Sequence, residues 1–244
     1  MKKTLLFALL LGSMLMTACK KDQQEPNQSE KNNHGLEQEN GKLSGNGTLQ
    51  GHDYVDLGLP SGTLWATCNV GASSPEAYGD YFAWGETTPK SDYSWSTYQY
   101  VSSSSTLTKY CSDSSRGEDG FTDNKTVLDA EDDAATVNWG SGWRMPTWEE
   151  MQELYDNCTN TWTTQNGVYG RKFTASNGNS IFLPAAGFYY GSDLYDAASN
   201  GSYWSSSLYT GSPGYAYYLY FYSEGVFWIS INRFYGLSVR PVVR

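Results

Sequence analysis

From Tyr215 to Glu224 the chain reads YAYYLYFYSE, and no other stretch constrains the fold as strongly. Ring-bearing and aliphatic side chains alternate with a period of two, the signature of a strand. Tyr217, Leu219 and Phe221 fall on one face, expected to be the buried one. Ala216, Tyr218, Tyr220 and Tyr222 fall on the other, so a row of tyrosines is expected to stand outward. The surrounding segment, Asn200 to Arg244, interleaves rings with Ser, Gly and Asn and carries few charges. A folding core draws mainly on Leu, Ile and Val and uses few phenols, each of which needs a partner. Recognition surfaces instead combine Tyr with Ser, Gly and Asn, because Tyr offers rigid, amphipathic area at low entropic cost. The segment is therefore read as a binding face; the competing reading is a β-rich core with aromatic edges.

The chain opens MKKTLLFALLLGSMLMTAC. Two lysines precede an apolar run, Thr4 to Met16, that is short for a bilayer span. Thr17, Ala18 and Cys19 resemble the end of a bacterial lipobox, with Met16 where Leu is commoner. This predicts a signal peptide over 1–18 and lipidation at Cys19, so that the chain meets the membrane only through its lipid anchor. Residues 19–51 are rich in Gln, Asn, Glu, Lys and Gly without apolar periodicity, and are read as a disordered tether. A Glu-Pro-Asn tripeptide at Glu25 to Asn27 looks like a lectin motif but lies in that tether, outside any fold.

The remaining residues, 52–244, suffice for one domain with a real core. A net charge of −10 argues against nucleic acid and against anionic membrane surfaces as partners. His34 and His52 are the two histidines, and His34 falls in the tether. Histidine-based zinc sites and Ser-His-Asp or Cys-His chemistry are therefore not expected. Cys68, Cys111 and Cys158 are an odd number for an exported domain, and which of them pair is left open.

Within the body, Tyr54 to Leu57 and Leu64 to Thr67 read as strands around a Gly/Pro turn, and Tyr78 to Trp84 as a further strand. Pro89 to Gly120 reads as a long surface insertion that could contribute to a binding rim. The acids Asp129, Glu131, Asp132 and Asp133 suit the start of a short helix. They lack the alternating ligands and glycine turn of a calcium loop, so no cofactor is expected and calcium is carried as an alternative without a motif. Thr147 and Glu150 form a capping box ahead of a helix whose apolar stripe is Met151, Leu154 and Tyr155. Val168 to Thr174 and Ser180 to Leu183 read as strands. The whole predicts an α+β domain with one or two helices and many short strands.

Several pieces occur together in order: DDAATVNWGSGWRMPTWEE, NSIFLPAAG, YWSSS, AYYLYF and GLSVRPV. Spread over most of residues 53–244, they resemble the Fibrobacter succinogenes major paralogous domain and its relatives. These belong to the C-type-lectin-like group, which also holds the formylglycine-generating family. The resemblance implies a C-type-lectin-like mixed fold. It does not extend to the oxidase chemistry, whose cysteines lie late in the domain, where this chain has none after Cys158. The Trp-Asn-Asp motif of calcium-dependent lectins is also missing.

The C-terminus is similar, too, to the variable region of proteins diversified by retroelements. That resemblance implies scaffold roles for Tyr203, Trp204, Leu219, Phe221, Arg233, Gly236, Val239, Arg240 and Pro241. It implies display of Tyr209, Tyr215, Tyr218, Tyr220, Tyr222, Phe227, Ile229, Ile231, Asn232, Phe234 and Tyr235. Trp228 fits the surface chemistry but not the mutational route. The expected function is that of an outer-membrane, surface-exposed lipoprotein or adhesin that presents this face to a protein or glycan. Two alternatives are a polysaccharide-acting enzyme using carboxylates such as Asp132 and Glu149, and a subunit at the tip of a surface filament.

Overall fold

The computed structural model describes residues 43–102 and 106–243. The expected signal peptide, Cys19 and the tether as far as residue 42 lie outside the described residues. In chain order the first strands are β1 (Gly47–Leu49), β2 (His52–Val55), β3 (Leu64–Ala66) and β4 (Tyr81–Phe82). Two helices follow, α1 (Ala134–Trp139) and α2 (Trp148–Asn157). Next come β5 (Cys158–Gln165), β6 (Val168–Ala175), β7 (Ser180–Pro184), β8 (Phe188–Tyr190) and β9 (Asp193–Tyr195). The last strands are β10 (Gly201–Leu208), β11 (Tyr215–Tyr222), β12 (Gly225–Asn232), β13 (Leu237–Ser238) and β14 (Val242–Val243). The domain is α+β, and no helix among the described residues is long and apolar enough to cross a membrane.

The ordered body starts earlier than the expected boundary after residue 51. Strand β1 lies inside the stretch read as tether, paired to β2 with Leu49 opposite His52, and Leu43 and Leu49 pack on the core. Two isolated leucines carry too little periodicity to be read from sequence, yet the ladder to β2 pairs the backbone of Gly47–Leu49.

Four sheets make up the domain, in strand orders β1-β2-β3-β14, β12-β11-β10-β13-β4, β5-β6-β7 and β8-β9. The five-stranded sheet sits between two apolar clusters. One joins Trp204, Ala216, Tyr218 and Leu237 to Phe82, Trp84, Tyr93 and Tyr98. The other joins Tyr203, Leu219 and Phe221 to Met151 and Leu154 of α2 and to Phe173, Ile181 and Leu183. Strand β10 is consequently buried at every residue. Gly201 is required there, since a Cβ would come within 2.1 Å of the Phe221 ring.

The core is itself aromatic. Several of its phenols donate to backbone carbonyls: Tyr93 to that of Tyr81 (2.6 Å), Tyr98 to Trp84 (2.7 Å) and Tyr203 to Pro184 (2.7 Å). The indoles of Trp84 and Trp204 donate to Ser205 and Phe82 carbonyls. The segment 89–120 is therefore not a surface insertion. It inserts Tyr93, Tyr98, Tyr100, Leu107 and Tyr110 into the interior. Hydroxyls at ring tips find backbone acceptors inside the domain, which is how a Tyr-rich segment can serve as core.

Helix α2 begins as its capping box dictates: Thr147 Oγ1 accepts from the Glu150 N–H, and the Glu150 carboxylate accepts from the Thr147 N–H. Glu150 also holds Arg144 through two 2.6 Å bonds. Helix α1 is capped by Asp133, which accepts from the N–H groups of Ala135, Thr136 and Met145. The nine residues given as scaffold by the resemblance are all buried.

Candidate recognition face

Strands β11 and β12 form an antiparallel hairpin with Tyr218 opposite Ile229, Tyr220 opposite Phe227 and Tyr222 opposite Gly225. Cross-strand partners share a face, so Tyr218, Tyr220 and Tyr222 stand with Ile231, Ile229 and Phe227. Exposure rises along this face toward the turn. Tyr218 is buried, Tyr220 and Tyr222 are half-buried, and Phe227 and Ile229 are each 41% exposed. The rings of Tyr222 and Phe227 stack at 5.6 Å and 7° from parallel, and Tyr220 leans on Phe227 at 6.3 Å.

A second group of rings adjoins the first. Hairpin β8–β9 is fixed by reciprocal backbone bonds between Tyr189 and Gly236 (2.8 and 3.0 Å). This lays Tyr190 against Tyr235 at 5.2 Å, while Phe188 stacks on Tyr195 at 5.7 Å. Tyr190, Leu194 and Tyr195 are exposed. Burial raises the Tyr218 phenol well above its usual range, and the neighbouring Tyr220 and Tyr235 hydroxyls push it further. Burial also raises Tyr220, with Asp196 and Tyr222 adding to the effect. The Tyr218 hydroxyl thus lies near those of Tyr220 and Tyr235, one from each ring group.

Sequence reasoning did not include Phe188, Tyr190, Leu194 or Tyr195. The signal was present as a pair of aromatic clusters around a Gly-Ser-Asp turn, FYYGSDLY.

Several of the expected display residues sit elsewhere: Tyr218 and Phe234 are buried, while Tyr209, Tyr215, Trp228 and Asn232 lie on the reverse side. Tyr218 and Phe234 are 6% and 5% exposed, so neither presents a ring outward. The face of β11 expected to be open is covered at its first half, because Trp204 and the segment around Tyr93 and Tyr98 pack there. Trp228 points to the opposite face, where it packs edge-on against Tyr155 at 4.5 Å and Trp148 at 6.2 Å. Its indole N–H is buried without a hydrogen-bond partner. Tyr209 meets Tyr217 edge-on at 5.3 Å on that reverse side, and Tyr217 stacks on Trp148 at 4.6 Å, so Tyr217 is only half-buried there. Tyr215 and Asn232 pair across the strands, and both are half-buried, as are Ile231 and Tyr235.

No family model matches this chain, and no curated protein or solved structure matches it either. The site's own geometry therefore carries the functional argument.

The acidic run was the other sequence feature with chemical promise. Carboxylates of Asp129, Glu131 and Asp132 lie within 4.8 Å of one another. The Lys109 ammonium reaches all three, at 3.4, 3.0 and 2.5 Å. Asp132 additionally accepts from Tyr100 (2.6 Å) and from Tyr110. A side-chain cation thus pairs with all three carboxylates of the cluster. Glu149, its conceivable catalytic companion, lies exposed on α2. An open groove of about 610 Å³ runs beside α1 and α2, and its acids are Asp133 and Glu150. Both are committed, one to helix capping and the other to Arg144, so the groove offers no pair of free carboxylates.

Proposed function

We propose that this chain is a lipid-anchored surface binding protein, an adhesin of C-type-lectin-like fold, that meets a protein or glycan through the face built on Tyr220, Tyr222, Phe227, Ile229, Tyr190 and Tyr195. The observation that carries this reading is that two hairpins each leave large apolar side chains exposed, Phe227 and Ile229 on one and Tyr190, Leu194 and Tyr195 on the other. Monomeric proteins seldom leave such apolar area open unless something covers it. Aromatic rings held rigidly on strands give contact area at little entropic cost, which suits recognition. Attachment at the outer membrane follows in this reading from lipidation at Cys19.

The test is a binding screen of the full chain against arrays of glycans and cell-surface proteins. Any partner found should be lost to Tyr222→Ala/Phe227→Ala, with thermal unfolding unchanged within a few degrees. A partner retained by that variant would sink the assignment of the face.

One observation favours a second reading, a filament subunit. Strand β12 is the edge of the five-stranded sheet and carries no charged residue from Gly225 to Asn232. Uncharged edges invite strand addition. Concentration-dependent assembly of the full chain, read by light scattering, would support it, and a strict monomer at all concentrations would exclude it.

A further inference from the structure

We propose that the recognition face takes a basic polypeptide segment, whose arginine and lysine side chains lie on the rings and pair with carboxylates at the rim. This rests on the preceding reading of the face and narrows its ligand class.

Along the two hairpins that carry the face the charges are of one sign. From Phe188 to Asn232 the charged residues are Asp193, Asp196 and Glu224, all acidic and all exposed. Asp196 lies close enough to Tyr220 to raise its phenol, and Asp193 is paired across β8–β9 with Tyr190. Glu224 sits in the turn beside the Tyr222–Phe227 stack. Two of the basic groups nearby are engaged within the domain. Lys90, over the Tyr93 ring, pairs with Glu86 at 2.8 Å. Arg171 is buried and donates to the carbonyls of Tyr222 and Ser223 and to Asn160. Arg116 stands by Gly214, at the start of β11.

Rings and cations already pair inside this protein. The Arg233 guanidinium lies 5.4 Å from the Trp84 ring and 5.3 Å from that of Tyr98, and Lys109 lies 5.3 Å from Tyr110. Among the described residues no lysine or arginine lies over Tyr190, Tyr220, Tyr222 or Phe227. Their electron-rich faces, next to uncompensated carboxylates, suit an incoming cation. A neutral sugar would stack on the same rings but would shield Asp193, Asp196 and Glu224 from water with no counter-charge, which is unfavourable. The net charge of −10 steers a basic partner toward the surface from a distance.

The test uses the full chain in mild detergent, with nona-arginine, nona-lysine and a neutral β-glucan oligosaccharide as probes. Both cationic peptides should bind, and binding should weaken about tenfold between roughly 50 and 300 mM salt. Asp196→Asn/Glu224→Gln should weaken it by about tenfold, as should Tyr222→Ala/Phe227→Ala, because each removes one half of a combined ring-and-carboxylate contact. Glu149→Gln/Asp156→Asn on α2 removes the same charge from the far side of the sheet and should leave binding within about twofold. Equal losses from both acid pairs would reduce the effect to net charge and overturn the proposal. Binding of the glucan instead, lost in the ring variant and untouched by Asp196→Asn/Glu224→Gln, would also overturn it while leaving the face as a recognition surface. No binding of either peptide would overturn it outright.

Discussion

The guanidinium of Arg240 and the side-chain amide of Asn69 meet deep in the domain, Nε donating to Oδ1 over 2.9 Å, with both residues fully buried. The other guanidinium nitrogens donate to the carbonyls of Ala66, Thr67 and Phe182. One side chain thereby ties the end of β3, the loop after it and β7 to the segment that precedes β14. The sequence motif VRPV becomes intelligible as a hub, since only a guanidinium can satisfy four acceptors spread around a plane.

Replacing Arg240 with Met should cost about 3–5 kcal/mol, because several buried acceptors lose their donor at once. Lys should recover less than half of the loss. Urea unfolding followed by tryptophan fluorescence would check this, and a loss below about 1 kcal/mol would contradict the hub.

Tyrosines four positions apart on β11 should behave differently. Tyr218→Ala opens a cavity against Trp204 and should cost about 3 kcal/mol or more. Tyr222→Ala removes a half-buried ring and should cost less than about 1 kcal/mol. Equal costs in equilibrium unfolding would mean that the face is ordinary core.

Acid should weaken the domain partly through Glu150. Burial alone would raise its carboxyl, but the bonds from Arg144 and the Thr147 N–H, with the Arg144 charge, outweigh burial and hold it below the ordinary value of 4.5. Its stabilisation is thus complete above about pH 4.5 and is lost as pH falls through the lower folded-state value. Glu150→Gln should be less stable than the parent at pH 7, and the gap should close as pH drops toward 3. Asp133, raised by burial against its three N–H bonds, has the opposite slope but is common to both proteins. A gap independent of pH would refute the assignment.

All three cysteines of the domain are free thiols, so the pairing left open by sequence resolves to none. Burial pushes the Cys158 thiol up to about 11. Iodoacetamide at pH 8 should therefore leave Cys158 unlabelled in the folded protein, label the half-buried Cys68 first, and label Cys158 only in denaturant. Peptide mapping would read the order, and rapid native labelling of Cys158 would contradict it.

What was legible in the sequence was local. The Thr147–Glu150 box set the start of α2, and period-two alternation set the register of β11. What was not legible was coverage. Periodicity says which residues share a face, but not which distant segment packs on it, so Tyr218 looked open and Tyr98 looked peripheral. Strand β5, reading CTNTWTTQ, has too few apolar residues to announce itself and is held by its ladder to β6. Trp228 shows the remaining limit: on a hairpin buried on one side and open on the other, one residue's shift in position exchanges core for surface.

Strand β3 pairs with Val242 and Val243, and β4 pairs with Leu237 and Ser238. A chain delivered from its N-terminus, by a ribosome or through a translocation pore, can pair β3 with β2 early, but β4 and the second edge of β3 wait until those four residues emerge. Neither sheet can close during delivery, and the loop-closure entropy is met only at the end. The unfinished chain thus keeps β4 and one edge of β3 unpaired until its last residues, which makes holding it soluble before completion a task for a chaperone.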